Sequence, residues 1–319
     1  MMITVCVASS FPEARNRNVG IVADLAEGFR EVLGDKQVHV VPFQGMDLHV
    51  QRLRPTLVVL VGSALLPRSN YRDMAQACRR VGALFAFWTV EDPYEFDAAC
   101  KFAEFADLVF SNDAWASYFY DHDRVHHLPT AASPRWHVDL DRYDERPVEV
   151  FFCGVGFPNR QRLISDALPV LERRRSVVLG ENWAVQTSGV VANRRLSAYE
   201  LAAYYASSRC VLNIGRNFSY ANDRRSLQAV TPGPRTFEAA MAGSVQLYFQ
   251  PSRFVGDYFE LGTELVSFDS VDELEMVLER LLSDPAGSQA IAEAGQRRTL
   301  AEHTYAARAK TIIALSGLG

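Results

Sequence analysis

Short apolar runs rich in β-branched residues alternate with helically spaced stretches from one end of this 319-residue chain to the other. A strand that is apolar at every position must be covered on both faces, and helices between consecutive strands supply that cover. The runs fall at 5–8, 38–42, 57–61, 84–88, 108–111 and 126–128. Over 139–147 the chain turns charged and aperiodic, and a second series then begins at 148–153, 176–179, 211–214, 245–249 and 265–268. The pattern predicts an α/β protein of two doubly wound, Rossmann-like domains, and the length suffices for two full cores. The expected division is 1–138, 139–303 and a last segment, 304–319. A helix over 305–315 in that segment packs against both domains or crosses back to the first. Ligands of such sheets sit at the carboxyl ends of the strands, here in a cleft which the two domains face. Two helix starts are marked by capping boxes, Ser197-x-x-Glu200 and Ser270-x-x-Glu273. After the second, Leu274, Val277, Leu278 and Leu281 form one apolar helix face.

The stretch from Thr231 to Phe249, TPGPRTFEAAMAGSVQLYF, reads as a Pro/Gly turn, a short helix, a glycine stop and a buried strand. Pro234 suits the first helical position and Gly243 the left-handed residue beyond the last. Phe237, Ala240 and Met241 share one face and should meet a core, while Arg235 and Glu238 share another near the helix start. The free N–H groups at the helix start make an anion site that the Arg235 guanidinium strengthens, and Gly233, Arg235 and Thr236 are the candidates there for nucleotide-sugar contacts. One turn deeper, Glu238 offers a carboxylate able to accept from two hydroxyls. Phosphate at one end and a diol beyond it describe a nucleotide; an ordinary helix with a solvated Arg and Glu is the competing reading.

Other residues follow strand ends in the same half. Gly154-Val-Gly156 precedes Pro158-Asn-Arg160, and a glycine turn there admits the close approach of a backbone or a phosphate. Gly180-Glu-Asn182-Trp183 leaves the next strand, with Trp183 read as a core aromatic. Asn213-Ile-Gly-Arg216-Asn217 leaves another, and Arg216 or Asn217 has reach to sugar or phosphate oxygens. The polar stretch 219–228, with Arg224 and Arg225, reads as a mobile, solvated loop. In the first half, Glu91 and Asp92 leave the very apolar run 84–88, where partial burial would raise a carboxyl pKa and suit a general base. Glu91 is slightly favoured, since Asp92 before Pro93 also fits an N-cap or Asx turn. Ser9-Ser10-Phe11, Gly62-Ser63 and Asn112-Asp113 follow other strands of that half; Ser9, Ser10, Ser63 and Asn112 are the candidates for acceptor or sugar contacts.

The balance of 33 basic against 38 acidic residues, net −5, argues against a generic grip on nucleic acid. Five cysteines are scattered and never form a C-x-x-C pair, which fits buried thiols in a reducing compartment. No apolar run is long enough to span a membrane and no secretory signal pattern opens the chain, so a soluble, cytoplasmic protein is expected. The histidine pair His126-His127 lacks the spacing of a zinc site, and no metal is expected.

Pro-Arg-Thr-Phe-Glu-Ala-Ala-Met-Ala-Gly over 234–243 resembles the donor-binding signature of CgeB-like glycosyltransferases of the GT-B superfamily. The likeness continues through residues 266–274, 292–298 and 301–305; residues from 88 onward match more weakly, and the first 80 only in pattern. The resemblance implies a GT-B fold with an acceptor-binding domain at 1–138 and a donor-binding domain at 139–303. It implies transfer from a nucleotide-diphosphate sugar, with a UDP-sugar as the expected donor, to an unidentified acceptor nucleophile. It further implies that Arg160 and Arg235 act on the diphosphate, that Glu238 holds the ribose, and that the base lies near 180–183. Retention is slightly favoured; an inverting reaction would need Glu91 or Asp92 as its base. Many retaining relatives carry a glutamate seven residues before the Glu238 position, where this chain has Val230. Two rival readings share the donor half: a nucleotide-sugar epimerase or hydrolase of GT-B fold, and a noncatalytic nucleotide-sugar binder.

Overall fold

The computed structural model describes residues 2–10, 19–42, 44–63, 68–184, 189–250 and 254–319; Phe11, one of the expected acceptor-side residues, lies outside them. Contacts divide the chain into two compact units. The first comprises Met1–Ala131, Ser219–Thr231 and Thr304–Gly319, the second Ala132–Phe218 and Pro232–His303. The division falls at Ala131 and not near Asp139, because Ala132, Trp136 and Leu140 pack into the cores of the second unit. The segment 304–319 joins the first unit alone.

The first unit holds a parallel sheet of β1 (Val5–Ser9), β2 (Val38–Val41), β3 (Leu57–Gly62), β4 (Leu84–Thr89), β5 (Leu108–Ser111) and β6 (Val125–His127) in the order β2-β1-β3-β4-β5-β6. Successive residues serve opposite cores, as the period of two requires. Leu57, Val59 and Val61 pack with α1 (Val19–Leu33) and α11 (Tyr305–Ser316), whereas Val58 and Leu60 pack with α2 (Met46–Leu53), α3 (Arg68–Val81) and α4 (Phe96–Ala103). Helix α11 is held by more than apolar contact. Arg308 donates to the carbonyls of Pro129 (2.8 Å) and Thr130 (3.1 Å), and Arg124 donates to that of Leu315 (2.8 Å).

The second unit is also wholly parallel. It contains β7 (Val148–Cys153), β8 (Ser176–Gly180), β9 (Val191–Asn193), β10 (Ser208–Asn213), β11 (Val245–Phe249) and β12 (Val266–Phe268), in the order β12-β11-β10-β7-β8-β9. Strand β9 has three residues, too few for alternation to reveal it in sequence. Phe152, Val178, Leu212 and Leu247 pack under α6 (Pro158–Glu172), α9 (Val271–Ser283) and α10 (Pro285–Glu302). Phe151, Leu179 and Val211 pack under α7 (Ala198–Ala206) and α8 (Pro234–Met241). The Ser197–Glu200 capping box is complete. In the second box Ser270 caps the Glu273 amide as expected, but the Glu273 carboxylate accepts from Asp269 N–H.

Strand order fixes where each sheet reverses direction of winding. In the second unit the first strand, β7, lies beside the fourth, β10, and consecutive connections depart to opposite sides; in the first unit β1 and β3 are the corresponding pair. Loops that leave such a pair at its carboxyl end part from one another and leave a crevice.

Candidate functional site

The glycines after β7 and β8 are required by loop-to-loop packing. Gly180 has φ +153°, and a Cβ there would lie 1.8 Å from the Gly154 carbonyl oxygen. A Cβ at Gly156 would lie 2.6 Å from the carbonyl oxygen of Asn182, which itself has φ +63°. Gly154 N–H donates to Leu179 and Gly156 N–H to Glu181, at 2.9 and 2.8 Å. Trp183 is buried, with its indole N–H on the Gly154 carbonyl at 3.1 Å. The backbone, of the two partners admitted by a glycine turn, is therefore what approaches here.

Arg160, in the first turn of α6, ties that turn to the end of β10. Its Nε donates to the Ile214 carbonyl (2.9 Å) and Nη1 to that of Val155 (3.2 Å), with the guanidinium beside the rings of Phe152 and Phe157. Asn159 reinforces the link through the Gly215 carbonyl at 2.8 Å. Arg216 lies over the Phe157 ring, which stacks on Phe218. Asn213 is buried and donates to Gln246 on the neighbouring strand, so its amide serves the sheet.

Helix α8 begins as its sequence dictates: Gly233 is the N-cap in extended conformation and Pro234 the first helical residue. Phe237, Ala240 and Met241 are buried, and Gly243 has φ +65°. Arg146 closes the far end, donating to the Ala242, Gly243 and Ser208 carbonyls. Thr236 is buried, while Arg235 and Glu238 form an ion pair, Nη1 to Oε2 at 2.6 Å, with side-chain exposures of 47% and 13%. That bond uses one of five guanidinium N–H donors. Burial is the largest single influence on the Arg235 pKa and lowers it, but Glu238, Tyr205 and Cys153 together outweigh it and hold the cation charged.

Cys153 is the last residue of β7. Burial raises its thiol pKa, Arg235 lowers it, Glu238 raises it and Arg160 lowers it. The thiol lies at the carboxyl end of β7, beside the β7–β10 reversal. Gly180 and Asn182 lie on the adjacent β8 loop. Thr236 N–H, expected to be free, donates to the Gly233 carbonyl at 3.1 Å; two cations, a carboxylate and the start of a helix together suit an anion with a hydrogen-bonding group attached.

In the first unit the polar residues at the carboxyl edge bond chiefly to one another. Asp92 is 2% exposed. Its Oδ2 accepts from Thr89 Oγ1 (2.7 Å), Ser111 Oγ (2.6 Å) and Tyr120 OH (2.7 Å), while Oδ1 is buried with no hydrogen-bond partner among the described residues. Desolvation raises its pKa, and the three hydroxyls oppose that. Glu91, its half-buried neighbour, is the more accessible of the two. Asn112 makes a two-way bond with the Asp92 backbone, accepting from N–H (2.9 Å) and donating to the carbonyl (3.1 Å). Beside the β1–β3 reversal, Ser9 and Ser10 are buried; Ser10 Oγ donates to the Ser63 carbonyl and Ser63 Oγ to Glu95 Oε2, at 2.7 and 2.6 Å. Glu95 carries no motif and was not legible in the sequence.

The stretch 219–228 differs from the solvated loop expected of it. Tyr220 and Ala221 N–H donate to the Tyr94 carbonyl, Asp97 N–H donates to Ala221, and the Asp97 carboxylate accepts from Asp223 and Arg224 N–H. Arg225 lies over the Phe119 ring. Among the described residues no three His, Cys, Asp or Glu side chains are grouped to hold a metal ion, and no helix is long and apolar enough to cross a membrane.

Residues 160–314 match the family model described as glycosyl transferase-like. No curated protein matches the chain in sequence. Among solved structures it is similar to HepE of Anabaena in complex with UDP and glucose, with a TM-score of 0.67 at 13% identity, over 99% of this chain and 100% of that one. Sucrose-phosphate synthase of Thermosynechococcus elongatus is similar with a TM-score of 0.65 at 10% identity, over 98% of both chains. A UDP-N-acetylglucosamine 2-epimerase is similar with a TM-score of 0.55 at 13% identity, over 99% of this chain and 97% of that one. At such identities the likeness carries the fold alone, and that fold is GT-B.

Proposed function

We propose that the protein is a glycosyltransferase that moves a sugar from a nucleoside-diphosphate sugar, with UDP as the nucleotide, to an acceptor nucleophile, foremost a hydroxyl. The observation that carries this reading is the Arg235–Glu238 ion pair at the start of α8 in the same unit as Arg160, which is bonded to the Ile214 carbonyl at the end of β10, beside the winding reversal of that unit. The glycosyl transferase-like match over 160–314 supports it, as do UDP and glucose in the HepE complex. The second unit is thus the donor half and the first the acceptor half, and the enzyme works as a soluble cytoplasmic protein.

Cleavage of the anomeric C–O bond leaves negative charge on the β-phosphate. Arg235, Arg160 and the positive end of α8 stabilise that charge more in the transition state than in bound donor, as rate enhancement requires. Two guanidinium groups supply the positive charge, so the reading includes no metal. Glu238 accepts from the ribose hydroxyls and keeps Arg235 oriented. The sealed, triply bonded Asp92 is poorly placed to act as a base, so an inverting reaction would fall to the half-buried Glu91; retention is favoured on the family resemblance alone, with the leaving phosphate assisting deprotonation of the acceptor.

UDP release from UDP-sugars across an acceptor panel tests the proposal. Arg235→Ala should lower turnover by roughly 10²–10³, the worth of one donor to a developing oxyanion, and proton NMR of the first-formed product should show the donor's anomeric configuration. Unchanged turnover in a folded Arg235→Ala protein would remove Arg235 from the chemistry. Donor consumption independent of any acceptor would point instead to an epimerase or hydrolase.

A further inference from the structure

Residues 219–231 belong to the first unit and carry no helix or strand. Ordering such a stretch costs conformational entropy, and in compact domains loops of this length characteristically serve binding. Both ends are bonded to the loops that leave β4 and β5. The Tyr94 carbonyl and Asp97 hold the first end, and the Asp113 carboxylate accepts from Val230 (2.7 Å) and Thr231 (3.0 Å) N–H at the other. Between them Asn222 is buried and clamps Leu227 twice, accepting from its N–H (3.0 Å) and donating to its carbonyl (2.7 Å). Leu227 packs on the core of the first unit, whereas Arg224 and Arg225 are exposed.

Neither of these two guanidinium groups has a hydrogen bond or an ion pair among the described residues. The Asp97 carboxylate, at the foot of the loop, is taken by the Asp223 and Arg224 amides. Arg225 instead lies 4.9 Å over the Phe119 ring, which holds the cation in place and leaves its N–H donors open. Trp115 of the short helix α5 (Ala114–Ser117) stands 5.2 Å from Phe119 and 6.2 Å from Tyr118, ring centre to ring centre. Tyr118 is 76% exposed. Three rings and two unpaired cations thus gather on the loops that leave the carboxyl ends of β4 and β5, the side on which a doubly wound sheet takes its ligand.

A guanidinium fork matches a carboxylate or a phosphate, and aromatic faces match the C–H face of a sugar ring. We propose that the acceptor is an acidic saccharide, its anionic group on Arg224 and Arg225 and its ring against Trp115, Tyr118 and Phe119. That this ligand is the acceptor rests on the function proposed above; that the patch binds an acidic sugar does not.

Methyl glucuronide and methyl glucoside, which differ in a carboxylate against a hydroxymethyl group, test this by NMR titration of the whole chain; glucose 6-phosphate against glucose is the phosphate arm. In at least one arm the charged sugar should bind about 10-fold more tightly or better, the worth of hydrogen bonds to a charged group, and added salt should erode the difference. Arg224→Gln combined with Arg225→Gln should abolish the preference at an unchanged melting temperature. With UDP-glucose as donor and the preferred sugar as acceptor, the double variant should raise the acceptor KM about 10-fold or more and leave the UDP-glucose KM in place. Equal binding of charged and neutral sugars in both arms, including no binding of any, would overturn the proposal, as would a preference that survives the double substitution. Capture by phosphatidylglycerol vesicles that needs both arginines, without any preference among the sugars, would assign the patch to a membrane surface and overturn it as well. A wild type that binds no UDP yet keeps the charge preference would refute the transferase reading and leave the acidic-sugar site standing.

Discussion

Asp92 shows at a single residue how burial and hydrogen bonding oppose one another. Three hydroxyls converge on Oδ2 and stabilise the charged form, while the loss of water around the carboxyl destabilises it, and desolvation prevails. The folded protein therefore holds this proton more tightly than the unfolded chain does. By linkage, the group's contribution to stability falls as pH rises from the ordinary value of 3.8 through the raised folded value. Asp113 is raised for the same first reason and contributes a fall of the same sign. Asp92→Asn keeps an oxygen for the hydroxyls and removes one titration. Its melting temperature relative to wild type should climb as pH rises from about 4 toward neutrality, in step with the linkage of that carboxyl. Parallel melting curves across that range would show that Asp92 titrates normally.

Among the elements, the strands were legible because parallel strands buried on both faces read as continuous apolar runs. The α8 helix was legible from Pro234, Gly243 and the spacing of Phe237, Ala240 and Met241. What escaped is equally physical. Strand β9 is three residues long, and the segment 219–231 owes its order to carboxylates more than a hundred positions away, Asp97 and Asp113; no local period encodes such bonds. The glycines after β7 were legible as a demand for close approach, but not as to what approaches. Helix α1 offers a test of this kind of close packing in two glycines of opposite expectation. A Cβ at Gly28 would lie 2.4 Å from the Tyr305 backbone of α11, whereas nothing lies within 4 Å of one at Gly20. Gly28→Ala should destabilise by about 1–3 kcal/mol through overpacking. Gly20→Ala should stabilise by up to about 1 kcal/mol through helix propensity. Denaturant midpoints of the two variants check this, and a shift of the same sign in both would contradict the packing described.

Over the whole molecule, the chain returns twice to the first unit after leaving it, at 219–231 and at 304–319. The last segment completes a core, since Tyr305, Ala309, Ile312 and Ile313 are all buried. Three large side chains at about 1.5–3 kcal/mol each rival the whole stability of an ordinary domain, about 5–15 kcal/mol. A chain ending at His303 should lose the cooperative unfolding of the first unit and keep that of the second, as read by calorimetry. An undiminished unfolding enthalpy at unchanged temperature would contradict the assignment. The central claim, that the second unit binds a nucleoside diphosphate at the start of α8, is tested most directly by calorimetric titration with UDP and with uridine. UDP should bind more tightly than uridine, and Glu238→Ala should weaken UDP by about 1.5–3 kcal/mol, the worth of hydrogen bonds to a charged group. Equal affinity for UDP and uridine, or unchanged UDP affinity in a folded Glu238→Ala protein, would contradict it.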